Sequence, residues 1–181
     1  LVTGSIEEYR RDIIDPTNNL MSLYEKYNAK ITILLEITFC LKLKDYHPDI
    51  YQAIESQIQD AIMRGHDVQM HFHPEWMDID LRKDSWADFN HDYQYLDKAP
   101  RAKVLDYMRR GKALIEEICC PLNKHYKLLG YRAGGYRIEP FSYSSELLKD
   151  IGIIATSDLH RAEGHFFYCS GQDIETEAEK G

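Results

Sequence analysis

Gly65-His66-Asp67-Val68-Gln69-Met70-His71-Phe72-His73-Pro74-Glu75-Trp76 is the stretch on which the reading of the fold turns. With a period of two, Val68, Met70 and Phe72 fall on one side of an extended segment, and Gln69, His71 and His73 on the other. The apolar side suits a sheet face covered by helices. The polar side sets two imidazoles together, with the Glu75 carboxylate two residues beyond. Imidazoles and carboxylates are the usual ligands of zinc and similar divalent ions, and one strand can aim two of them at one ion. The same spacing also suits an exposed strand face or a pair of satisfied core histidines.

Outward from this strand, the chain alternates. Asp15-Pro16 offers an N-cap and a proline at the first helical position, followed by Leu20, Leu23, Tyr24 and Tyr27 at helical spacing. Ile31 to Ile37 is a β-rich run. His47-Pro48-Asp49 opens a helix through Ile50, Ile54, Ile58 and Ile62, and Gly65 stops it. A further helix runs from about Pro100 to Cys120, a strand over Tyr126 to Arg132, a helix from Pro140 to Ile151, and a strand over Ile153 to Thr156. Helix and strand in alternation predict a parallel sheet with helical crossovers, either a barrel or an open doubly wound sheet. In such folds the carboxyl ends of the strands share one rim, where sites are built. Here that rim collects Glu36, then His71, His73 and Glu75, then Arg132, then Asp158 and His160.

The segment from Pro74 to Ala99 has no clear period and mixes aspartates with Trp76, Trp86, Phe89, Tyr93 and Tyr95. Loops of this length inside a domain are often lids or binding elements. Aromatic rings beside carboxylates suit a sugar, although each ring taken alone is as well explained as an anchor for the loop.

A length of 181 residues predicts a single domain over 1–181 with a substantial core. Lys plus Arg numbers 22 against 30 for Asp plus Glu, a net charge of -8, which argues against a nucleic-acid surface and against adhesion to anionic membranes. No apolar run is long enough to span a bilayer. The four cysteines, Cys40, Cys119, Cys120 and Cys169, form neither a zinc ribbon nor a disulfide framework, and buried reduced thiols favour a cytoplasmic setting. Leu1 is not an initiator methionine, so the chain reads as processed, truncated or missing its start. The tail from Asp173 to Gly181 is acidic and expected to be loose.

Gly65 to His71 resembles the second motif of the polysaccharide deacetylases, the NodB-homology carbohydrate esterases (family 4-like). Gly130-Tyr131-Arg132-Ala133-Gly134-Gly135-Tyr136 resembles their third motif, an arginine between a strand and a small-residue turn. Leu147 to Ile153 and Thr156-Ser157-Asp158 are similar to the helix and strand end that follow, and Lys30 to Leu35 to the strand after the first crossover helix. The resemblance spans roughly Leu20 to Gly164, and its two central motifs are specific only in combination.

It implies a distorted parallel β/α barrel and metal-dependent removal of N- or O-acetyl groups from a sugar or polysaccharide. The metal is expected to be zinc, with cobalt, manganese or nickel as alternatives. In the family an aspartate and two histidines hold the metal, and a neighbouring aspartate is the base. His71 matches the first histidine. The second belongs four residues on, where this chain has Glu75, with His73 between. The expected ligands are therefore His71 and His73, with Glu75 as a third ligand or a group behind them. Arg132 is expected to orient the base, Asp158 to steady a catalytic imidazole, and His160 or His165 to serve as the acid. Trp76 and Tyr136 are expected to touch the sugar. The family's aspartate pair ends a first strand that nothing before Asp15 supplies, so that strand is expected to be missing. Without it, a carbohydrate binder that has lost its base is an alternative, as is another His-x-His metallohydrolase, an amidohydrolase or a phosphoesterase.

Overall fold

The β-rich run after Lys30 forms strand β1 (Thr32–Glu36), and the histidine stretch forms β2 (Asp67–Phe72). With β3 (Gly130–Ala133) and β4 (Ala155–Thr156) they make a four-stranded parallel sheet of order β1-β2-β3-β4. This is a computed structural model, and it describes residues 6–81 and 89–158. Trp86, His160, His165 and the tail from Asp173 lie outside those residues. Among the described residues the strand order runs in sequence without the reversal that marks a doubly wound sheet.

Helices α1 (Ile6–Tyr9) and α2 (Asp15–Glu25) precede β1, and α3 (Ile37–Tyr46) and α4 (Pro48–Met63) connect it to β2. Helix α5 (Arg101–Cys119) lies between β2 and β3, and α6 (Phe141–Asp150) between β3 and β4. The pleat of β2 is the one its period predicts. Val68, Met70 and Phe72 are fully buried, and α3, α4 and α5 pack on the strand and on one another. Helices α3 and α5 meet where Gly111 faces Ile37. A Cβ on Gly111 would stand between 2.6 and 2.8 Å from Ile37 side-chain atoms, so only a hydrogen fits between them. No helix among the described residues is long and apolar enough to cross a membrane.

Three boundaries differ from the sequence reading, each for a local reason. The run Ile31 to Ile37 breaks after Glu36, whose carboxylate caps a helix by accepting from Thr38 N and Phe39 N. The strand expected from Tyr126 begins only at Gly130, because the Gln69 side chain accepts from the amides of Leu129 and Gly130 and so takes the place of a neighbouring strand. Asp15 is not an N-cap. A π-helical segment, Arg10–Ile14, leads directly into α2, and Gln57 Nε2 donates to Ile14 O at 2.8 Å. A wide turn just ahead of Pro16 suits a residue that has no amide proton to give.

His66, at the foot of β2, is a buried polar group with a fixed proton. Its Nδ1 accepts from Ile31 N at 3.2 Å, which leaves the proton on Nε2, 3.2 Å from Glu25 Oε1. A second proton would put N–H against N–H. Burial, reinforced by the charge of Lys30, lowers its pKa. Below pH ~6.5 the unfolded chain gains a proton that the folded chain refuses, so the stabilising contribution of His66 is full above that pH and is lost as pH falls. Urea unfolding of wild type and His66→Gln at pH 7.5 and 5.5 checks this: the stability difference between them shrinks at the lower pH. A constant or widening difference contradicts it.

Candidate functional site

The register of the sheet assembles the site. Glu36 pairs with His71 and His71 with Arg132, so a carboxylate, an imidazole and a guanidinium stand in one row across β1, β2 and β3. In-register residues of a parallel sheet leave it on the same face. Among the described residues, a cleft of about 640 Å³ lies along the sheet, lined in part by Leu34, Gln69, Gly130, Arg132 and Ser157; neither His71 nor His73 belongs to its lining. His73 lies one pleat beyond the end of β2, with its ring edge-on to His71 at a centroid distance of 4.7 Å and an interplanar angle of 85°.

Both imidazoles have their Nδ1 occupied. His71 Nδ1 donates to Arg132 O at 2.9 Å, and His73 Nδ1 lies 3.0 Å from Glu75 Oε1. A proton on Nδ1 leaves the lone pair on Nε2, the arrangement in which a carbonyl or carboxylate orients a metal-binding histidine. Burial pushes the His71 pKa down and favours the neutral ring that a metal needs.

The His73 ring is enclosed. Trp76 stacks on it at 4.2 Å and 9°, and Gly134 lies against its Nδ1 edge, where an added Cβ would stand 2.6 Å from Nδ1. Gly134 was not singled out by the sequence reading; its signal is the glycine doublet after Arg132-Ala133. Gly134→Ala is expected to displace the His73 ring and weaken zinc binding by roughly 10–100-fold, the usual cost of disturbing a ligand's supports. Zinc titration of the variant checks this, and unchanged affinity contradicts it.

The carboxylates divide into committed and uncommitted groups. Glu36 accepts from His73 N at 3.1 Å in addition to capping α3, so it ties the ends of β1 and β2 together. Burial raises its pKa against the effect of those amides. Asp158 accepts from Ala133 N with both oxygens at 3.0 Å and from the Thr156 hydroxyl, and burial raises its pKa too. It fastens β4 to β3 rather than contacting an imidazole among the described residues. Glu75 is 3% exposed, and its second oxygen, Oε2, has no hydrogen-bond partner among the described residues.

Arg132 donates from Nε to Ser157 Oγ at 2.9 Å and lays its guanidinium over the Tyr136 ring at 5.2 Å. Tyr136 is half exposed and has φ of 60°. A left-handed backbone is uncommon for a tyrosine and is typical of residues held for a purpose at a site. Trp76 gives one face to His73 and meets Phe39 edge-on at 6.4 Å, which makes it a wall of the imidazole's enclosure.

The donor chemistry of His71 and His73 fits a divalent metal, but the described residues stop at two ligands. No group of three or more His, Cys, Asp or Glu among them is placed to hold an ion. His160, the expected acid, lies outside the described residues. Comparisons with protein-family models, with curated proteins and with solved structures found no match.

Proposed function

We propose that this chain is a metal-dependent hydrolase that removes acetyl groups from a sugar or polysaccharide, built on a β/α barrel of the polysaccharide deacetylase type. The observation that carries the reading is the pair of imidazoles, each with Nδ1 occupied and Nε2 without a hydrogen-bond partner among the described residues, standing beside an in-register arginine at the carboxyl ends of parallel strands. The sequential order of parallel strands supports the barrel, since a barrel wall is wound in that order.

His71 and His73 would hold the cation through Nε2. A divalent ion bound there supplies Lewis acidity to an acyl carbonyl and to the attacking water. Arg132 uses Nε on Ser157 and one face on Tyr136, which leaves its terminal amino groups for a carboxylate base or for developing negative charge. Tyr136 presents a half-exposed ring to a sugar face. A carboxylate from an earlier segment would complete the metal's donors, a carboxylate would take the water proton, and an imidazole, His160 in this reading and outside the described residues, would protonate the departing amine or alcohol.

The test is acetate release from N- and O-acetylated oligosaccharides by the zinc-loaded protein, run beside a phosphodiester substrate. Release that chelator abolishes and zinc restores is the expected result. Phosphodiester cleavage without acetate release would replace the deacetylase by a phosphoesterase. Sugar binding without turnover would favour the non-catalytic binder.

A further inference from the structure

Among the described residues, Glu75 is the carboxylate at this rim that is buried and yet incompletely used. One oxygen faces His73 Nδ1 at 3.0 Å, and the other has no partner among the described residues, at 3% exposure. A buried carboxylate oxygen without a donor costs free energy, and so does the burial of the charge itself. Glu36 and Asp158 use backbone amides to cap a helix and join strands, whereas the Glu75 carboxylate takes no backbone donor among the described residues, although the Glu75 carbonyl accepts from Asn90 N. The carboxylate's only hydrogen-bond partner among them is a side chain, and that side chain is the imidazole enclosed by Trp76, Gly134 and His71.

We propose that Glu75 is a positioning residue rather than a metal ligand: it holds the proton of His73 on Nδ1, fixes the ring in its slot, and so leaves Nε2 as the donor. The pairing repeats in a charged form what Arg132 O does for His71, so the two rings present the same nitrogen by two different supports. The inference deepens the hydrolase reading and rests on it for the identity of what Nε2 would bind. The tautomer itself does not depend on that reading.

The test is long-range proton–nitrogen correlation spectroscopy of the histidine rings in the metal-free, 15N-labelled protein at pH 7.5, with His73 assigned by its loss in His73→Gln. In wild type, His73 is expected to carry its proton on Nδ1. In Glu75→Met, which keeps the length of the side chain and removes the acceptor, the proton is expected to move to Nε2, the form imidazole prefers in water. Zinc affinity then falls by roughly 10–100-fold without vanishing. A wild-type His73 protonated on Nε2 overturns the proposal, and this arm needs no variant to fold. An unchanged His73 tautomer in Glu75→Met overturns it as well, as does complete loss of zinc uptake with that tautomer intact, which would make Glu75 a ligand. If the tautomer reverses but wild type takes up no zinc, Glu75 keeps its role and the hydrolase reading falls.

Discussion

Replacing both His71 and His73 with alanine is expected to take zinc uptake from one ion per chain to none, and acetate release to background, while the chain still folds. Among the described residues these are the two imidazoles that the sheet brings together at this rim, and the proposed zinc site would lose both of its nitrogen donors with them. The structural cost is bounded. His71→Ala removes one hydrogen bond to Arg132 O, worth about 1 kcal/mol. His73→Ala leaves Glu75 buried without its imidazole, a cost of about 3 kcal/mol. Against a domain stability of roughly 5–15 kcal/mol the fold survives. Zinc titration with near-ultraviolet circular dichroism reads both halves of the expectation. A double variant with native dichroism that still takes up one zinc per chain would remove these histidines from the site.

How much of this could be read beforehand differs from residue to residue. The pleat of β2 was legible because burial acts with the strand's own period: Val68, Met70 and Phe72 could not alternate with Gln69 and His71 unless one face were covered and the other left open. The row from His71 to Arg132 followed from parallel topology, which brings carboxyl ends to one rim. The break after Glu36 was not legible, because Ile37-Thr38-Phe39-Cys40-Leu41 continues the same apolar, β-branched character. The helix starts there because a carboxylate that also binds His73 N, 37 residues away, caps it. The late start of β3 was hidden for a similar reason. Gln69 satisfies backbone amides across the sheet, and no pattern within Tyr126 to Gly130 records that. Trp76 and Gly134 belong together only through the ring between them. In sequence they are an aromatic in a long loop and a glycine in a turn.

Asp158 shows the same limit and gives a sharp experiment. A carboxylate at a strand end looks alike in sequence whether it serves chemistry or the backbone, and among the described residues its partners are a backbone amide and a hydroxyl. Asp158→Ala would strand the buried amide of Ala133 and the hydroxyl of Thr156, each of which loses a hydrogen bond to a charged group. At about 1.5–3 kcal/mol per such bond, with partial relaxation, the expected loss is about 3 kcal/mol, together with loosening of β4 from β3. Asp158→Asn should cost only about 1 kcal/mol. The amide oxygen can accept from Ala133 N, the amide nitrogen can donate to Thr156 Oγ1, and the expense of burying a charge, which holds the Asp158 pKa up, disappears. Urea unfolding separates the two variants by about 2 kcal/mol if the carboxylate is a fastener. A catalytic or imidazole-steadying Asp158 differs in the other readout: Asp158→Asn would keep its stability and lose its acetate release. Measuring both quantities on the same pair of proteins decides between an aspartate that joins two strands and one that takes part in hydrolysis.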